Sequence, residues 1–512
     1  MTNYKLIFLV FLSATFMRCS DEPQEVVQPV NQEVQLIPKD QIDDLIITSL
    51  ESNDEFNWRN VSTQVLWSAL QHSDGILTVG YQPAGEGDIS SRMASIDVRT
   101  KAWVQARERL QNEIIVTLNK TGDETVEAED LDLFAHSTLP YFEVPVSSYE
   151  VVERLRTMPE VRYLEPLGYE VNQQRLADNN REESSKGCSN DPDYNITSSD
   201  YSIIAPNAKV SWNYSYMNIP QAWNYSTGSG IAVGLIDTGT SPNQAGLTSQ
   251  FNSGYSGGRY IHRYGFYVSS WWPWADPDGP NDKCGHGTSM AGAIAAPRGS
   301  SGAAVGVAYN SNLVAIRGTG DVVINGGSEK TGVSDALVYL GNRSDVRIIS
   351  MSIGDIFSSS KVADAVRYAY GKGKLLFSAA GTSTSWTNWY GVIFPANMNE
   401  TVAVTGIKEG SGYNRCDNCH SGSKVDFTVV MQKAGSNRTA LTLAMNGSDP
   451  STVGGSSVAT ATAAGIAALV WSKNPSWSRD QVLNKMKQTA DLYPNRSSDY
   501  GWGTLDALAA VN

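Results

Sequence analysis

The sequence predicts an α/β protein: a parallel sheet covered by helices on both faces, preceded by a small α+β domain. Two observations lead there. From about residue 200 onward, short unbroken apolar runs recur: "IAVGLI" (231–236), "NLVAIRG" (312–318), "VRIISMSI" (346–353), "KLLFSAA" (374–380) and "TVAVTGI" (401–407). Helix-like stretches separate several of them, namely "HGTSMAGAIAA", "GVSDALVYLG" and "KVADAVRYAYG", the last with Ser360 as its candidate cap. Strands without polar alternation are buried on both faces, and strands separated by helices pair in parallel. Upstream, residues 112–170 read strand, strand, helix, strand, through "EIIVTLN", "PYFEVPV", "SYEVVERLRT" and "EVRYLEP". Residues 39–111 are mixed, with helical "QIDDLIITSLE" and "TKAWVQARERLQ" around one strand, "GILTVGYQ".

The 512 residues are enough for more than one domain and a large core. No repeat period is visible. A net charge of −14 excludes a nucleic-acid partner, because binding phosphates requires a basic face.

The first residues, "MTNYKLIFLVFLSATFMRCSDEP", combine Lys5 with an apolar run from Leu6 to Met17, too short to span a bilayer. This pattern fits an export signal over residues 1–19. Cys19 with the acidic residues after it resembles a bacterial lipoprotein signal, which implies a lipid anchor as the only membrane contact. Arg18 stands where that signal prefers a small residue, so ordinary signal cleavage stays open. Residues 20–38 read as a flexible tether and 171–198 as a linker with a processing site between Asn172 and Asp191. Residues 199–512 form the last domain. In an exported chain the remaining four cysteines imply two disulfides. Three connectivities are possible, and the expected one joins Cys188 to Cys284 and Cys416 to Cys419.

Ligand and catalytic sites of parallel α/β sheets collect beyond the carboxyl ends of the strands. Asp237 follows the first run, Ser352, Ile353 and Gly354 follow the third, and Gly381 and Thr382 follow the fourth. Taken alone, Asp237 reads as a turn residue. His286, one of five histidines, opens a small-residue helix between Gly285 and Gly287. Two glycines cost backbone entropy unless something must approach closely. "VGGSSVATATAAGIAALV" (453–470) reads alone as a close-packed core helix that begins with two serines.

Taken together, "GLIDTG", "GHGTSMAG" and "GGSSVATATAAG" resemble the three signature segments of the subtilisin-like serine proteases, the subtilases. "GVAYNSNLVAIRG", "IISMSIG" and "NPSWSRDQVLNKMKQTA" extend the resemblance over roughly residues 200–512. It implies a serine endopeptidase acting on proteins or peptides through an acyl-enzyme. Ser457 is then the nucleophile, His286 its base and Asp237 the residue that orients the imidazole. Ser456 replaces the family's threonine and Ala461 its proline. Thr382 stands where the family places an asparagine that donates to the oxyanion, a kind of donor whose removal costs about 10²–10³ in turnover. The resemblance also implies that the backbone of Ser352, Ile353 and Gly354 pairs with extended substrate. It makes residues 112–170 an inhibitory propeptide, the chain's own intramolecular partner. A monomer is implied, with no cofactor needed for chemistry and structural calcium expected from the family alone. The competing function is a non-catalytic, lipid-anchored peptide-binding protein on the same fold.

Two segments depart from the family pattern. "CDNCH" (416–420) has the spacing of a c-type haem attachment or of three zinc ligands, besides that of a local disulfide. The aromatic run "YVSSWWPWADPDG" (267–279) reads either as rim packing or as a substrate-shaping insertion.

Overall fold

The computed structural model describes residues 34–53, 55–121, 136–171, 188, 190–270, 275–382, 391–410 and 412–512. The expected signal with Cys19, most of the tether and of the processing window, and the tryptophan-rich residues 271–274 lie outside the described residues.

The N-terminal segment begins with helices α1 (Lys39–Asn53) and α2 (Thr63–Gln71). The Ser62 hydroxyl caps α2 by accepting from the Val65 amide. Then follow β1 (Ile76–Tyr81), α3 (Lys101–Thr121), β2 (Tyr141–Pro145), α4 (Tyr149–Leu155) and β3 (Val161–Pro166). The three strands form one antiparallel sheet in the order β2-β1-β3, with Val79 opposite Phe142 on one side and Leu164 on the other. The division expected at residue 111 therefore cuts through a single sheet, whose central strand comes from the earlier segment. The strand expected at "EIIVTLN" is instead the second half of α3. Trp103, Ala106, Leu110, Ile114 and Leu118 are buried at helical spacing, a periodicity too long to see in a seven-residue window.

The body opens with the hairpin β4 (Tyr201–Ile204) and β5 (Ala208–Ser211) and the short helix α5 (Ile219–Ala222). It continues through β6 (Ala232–Asp237), β7 (Ile261–Gly265), α6 (His286–Ala295), β8 (Asn312–Arg317), α7 (Gly327–Asn342), β9 (Val346–Met351) and α8 (Ser360–Gly371). Then come β10 (Leu375–Ala379), β11 (Thr401–Lys408), β12 (Val425–Gln432), the hairpin β13 (Ala440–Leu443) and β14 (Pro450–Val453), and helices α9 (Gly455–Lys473), α10 (Arg479–Thr489) and α11 (Ala507–Val511).

Seven strands form the main sheet in the order β12-β11-β10-β9-β6-β8-β7, every neighbouring pair parallel. This is the α/β architecture the sequence predicts. The five apolar runs became its five inner strands, flanked by β7 and β12 at the edges. β6 lies between β8 and β9, so the strand order reverses there, and sheets of this kind place their sites beyond the carboxyl end of such a strand. Helix α9 runs through the core, with every residue from Val458 to Trp471 buried. Helix α8 is capped by Ser359 rather than Ser360.

Ser360 is held from outside the body. The Glu165 carboxylate at the end of β3 accepts from the Ser360 amide (2.9 Å) and hydroxyl (2.5 Å). Arg162 makes a two-pronged pair with Asp364 at 2.7 and 3.0 Å, and Tyr163 Oη donates to the same carboxylate at 3.3 Å. Lys361 pairs with Glu143 and donates to Thr331 Oγ1 at 2.6 Å. Through these bonds the N-terminal sheet docks on α7 and α8.

Candidate active site

Asp237 ends β6 at the reversal point. His286 opens α6, whose first turn presses on the turn after Asp237. A Cβ on Gly287 would lie 2.2 Å from the Gly239 carbonyl oxygen, so glycine is required by this close approach of backbones. His286 Nδ1 and Asp237 Oδ1 are 2.7 Å apart, with the two residues only 2% and 0% exposed. Asp237 Oδ1 also accepts from the Thr238 amide at 2.8 Å, while Oδ2 is buried with no partner among the described residues.

Burial pushes the imidazole pKa down, but the charge and hydrogen bond of Asp237, with Asp282 and Asp321 beyond, outweigh it. The net result is a pKa above the ordinary 6.5. With Nδ1 bound to Asp237, Nε2 is the nitrogen left to take a proton from a nucleophile.

Ser457 lies in the first turn of α9. Gly455 begins that helix with φ of 80°, and a Cβ there would come within 2.6 Å of Thr382 Oγ1. Both the left-handed backbone and the crowding demand glycine. Ser456 is buried; its Oγ accepts from the Gly381 amide (3.1 Å) and lies 3.2 Å from Thr382 Oγ1. Ser457 is partly exposed. Its hydroxyl donates to the Ser352 carbonyl at 3.3 Å, and Ser352 Oγ donates back to the Ser457 carbonyl at 2.8 Å. These two bonds lock the end of β9 to the start of α9. Among the described residues no hydrogen bond joins Ser457 to His286.

The backbone of Gly354 pairs with the segment after β8: its amide donates to Val322 O (3.1 Å) and its carbonyl accepts from the Ile324 amide (3.2 Å). Ile353 is buried. Thr382 bridges to Cys419, and the next residues, through 390 and including Asn388, lie outside the described set.

Cys188 is bonded to Cys284, two residues before His286, and Cys416 to Cys419. With both sulfurs of "CDNCH" joined to each other, neither is available as a zinc thiolate or a haem thioether. His420 instead packs under the turn at Gly381, its Nδ1 2.8 Å from the Gly391 carbonyl. Among the described residues no group of three or more His, Cys, Asp or Glu side chains suits a metal ion.

Sequence reasoning passed over Asp282 and Thr238, which tie the segment of Asp237 to that of His286. The sequence signal was slight: an aspartate four residues before His286 and a threonine after Asp237.

The subtilase family model matches residues 228–503, more than half of the chain. M-protease of Shouchella clausii (strain KSM-K16) is 30% identical over 322 residues, covering 63% of this chain and 75% of the relative. Alkaline elastase YaB of Bacillus sp. (strain YaB) is 31% identical over 305 residues, covering 59% and 70%. Subtilisin Savinase of Lederbergia lenta is 30% identical over 303 residues, covering 59% and 98%.

Proposed function

The chain belongs to the subtilase family and is a serine-type endopeptidase; from that premise we propose that Asp237, His286 and Ser457 are its catalytic triad, and that it is exported as a zymogen inhibited by residues 34–171. The observation that carries the triad is the buried 2.7 Å bond between His286 and Asp237 at the carboxyl end of β6. Protein and peptide chains are the substrates.

In the first half-reaction Ser457 turns about its Cα–Cβ bond, away from the Ser352 carbonyl, and gives its proton to His286 Nε2. The serine oxygen bonds to the scissile carbonyl carbon. Asp237 holds the imidazole in the productive tautomer and stabilises the imidazolium. The negative charge on the substrate oxygen is met by free amides and the dipole at the start of α9, with Thr382 as a side-chain donor. His286 then protonates the leaving nitrogen as the C–N bond breaks. Water, deprotonated by His286, releases the acid and restores the serine. The backbone of residues 352–354 pairs with the extended peptide, which replaces the bonds Gly354 now makes to Val322 and Ile324.

The inhibitory role rests on where the N-terminal segment ends. Lys330 Nζ donates to the Leu167 carbonyl (2.8 Å). Tyr169 and Val171 are buried with Ile356, just past the proposed substrate strand, and Ile393 packs on them. Cys19 is the proposed lipid attachment point.

The test is labelling of the purified protein by a fluorophosphonate probe, with Ser457→Ala as control. Labelling that depends on Ser457 is expected; labelling that survives the substitution overturns the triad. N-terminal sequencing of the exported protein checks maturation: a mature chain that retains residues 34–171 defeats the zymogen reading.

A further inference from the structure

Helix α6 has an unusual cap. The residue at its N-cap position, Gly285, has no side chain to satisfy the free amides of the first turn. The Asp282 carboxylate, only 4% exposed, reaches in from upstream and meets one of them, the Thr288 amide, together with the two amides just before the helix. Its Oδ2 accepts from the Thr288 amide (2.9 Å) and hydroxyl (2.6 Å). Its Oδ1 accepts from the amides of Cys284 (2.9 Å) and Gly285 (2.7 Å).

A fifth bond reaches a different element. Thr238, the neighbour of Asp237, donates its hydroxyl to Asp282 Oδ1 at 2.9 Å. The same Thr238 oxygen accepts from the amide of Gly287, the neighbour of His286, at 2.9 Å. A second cross-link runs from the Ser241 amide to Thr288 Oγ1 at 2.9 Å. The strand end that carries Asp237 and the helix start that carries His286 are thus tied together twice, independently of the bond between those two side chains.

A cap serving stability alone needs only the bonds within α6. The bonds to Thr238 and Ser241 instead set the distance between the two segments. We propose that Asp282 is a positioning residue for proteolysis: through Thr238 and Thr288 it holds the His286 imidazole and the Asp237 carboxylate in catalytic register. The proposal rests on the triad reading above. Its effect is on geometry first, since a misplacement of about 1 Å costs on the order of 10²-fold in rate. It also adds one of the charges facing His286, the others being Asp237 on β6 and Asp321 beyond β8. All three favour the protonated imidazole.

The test compares the wild-type chain with Asp282→Asn and Thr238→Val, with active sites counted by fluorophosphonate burst so that unfolded or unprocessed protein does not enter the rate. Asp282→Asn places an amide N–H₂ among donors and removes a charge. It is expected to lower kcat about 10²-fold with KM within about twofold, and to move the acid limb of kcat/KM to lower pH. Thr238→Val keeps shape and charge and breaks only the cross-link, so it is expected to lower kcat about tenfold with the acid limb unmoved. If Asp282→Asn does not accumulate as folded protein, Thr238→Val alone decides. Per-site kcat equal to wild type in the variants that fold, or a rise in KM with kcat unchanged, overturns the proposal. A wild-type chain without Ser457-dependent turnover would instead overturn the triad reading.

Discussion

Helix α9 and the seam between the N-terminal segment and the body bury opposite kinds of surface. From Val458 to Trp471 the helix is small or apolar and buried throughout. The seam buries charge: the side chains of Asp364 and Lys361 are each 1% exposed, and their partners Arg162 and Glu143 are 11% and 8% exposed. Apolar burial of the first kind is cumulative and tolerant of small shifts. A buried ion pair gains little net free energy once desolvation is counted, yet removing one partner is costly. The helix is therefore suited to stay in place, and the seam to dock in one register and still come apart.

Breaking one seam pair tests that contrast most severely. Asp364→Ala strands the Arg162 guanidinium and removes the acceptor of Tyr163 Oη. The expected cost is on the order of 4 kcal/mol, confined to docking. In a full-length Ser457→Ala chain, which lacks the proposed nucleophile, the N-terminal segment should become accessible to added protease while the body melts as before. If the body's melting temperature falls in step with the seam, the two regions are one cooperative unit and the contrast is wrong.

A subtler effect is expected at Asp355, where the tail of the N-terminal segment meets the body. Burial raises its pKa from 3.8 to about 7, against the pull of Lys330 and of the Phe357 and Ile356 amides. A raised carboxyl favours the folded state while it is protonated. That contribution is complete below about pH 4 and is lost as pH rises through 7. Relative to Asp355→Asn, whose side chain stays neutral, the wild type should lose on the order of 3 kcal/mol between pH 4 and 7 and run parallel above that. Thermal melts of the two chains across pH, both carrying Ser457→Ala, measure the difference. Curves that stay parallel throughout mean that Asp355 is hydrated in solution.

The same contrast explains what was legible beforehand. The inner strands and the three segments of the proposed triad stand out because complete burial and close backbone approach leave unbroken runs of apolar or small residues. The edge strand β7, "IHRYG", is largely half-exposed and carries no such run. The second half of α3 reads as a strand because only its packing against α4 shows that Ile114, and not Val116, points inward. Asp282 was silent because its role is set by Thr238, 44 residues away in the chain. The seam was equally silent, since a charged residue reads as surface until its partner, about 200 residues distant in the case of Arg162 and Asp364, is placed beside it.

The smallest expected effect lies at the polar end of α9 itself. Thr382 touches Gly455 and lies 3.2 Å from Ser456 Oγ, so its hydroxyl has two available roles: bracing the helix start or donating to the substrate oxyanion. Thr382→Val keeps the volume and deletes the hydroxyl. If the group donates in the transition state, kcat should fall about tenfold, the scale of one neutral hydrogen bond, with KM unchanged. If it only braces Ser456, the melting temperature should fall and per-site kcat should not. Thr382→Asn separates the two further. A longer amide reaches the oxyanion more directly and should raise kcat in the first case, whereas in the second it crowds Gly455 and lowers stability with no kinetic return. A gain in kcat from asparagine, with a loss from valine, would assign the polar start of an otherwise apolar helix to the chemistry rather than to the core.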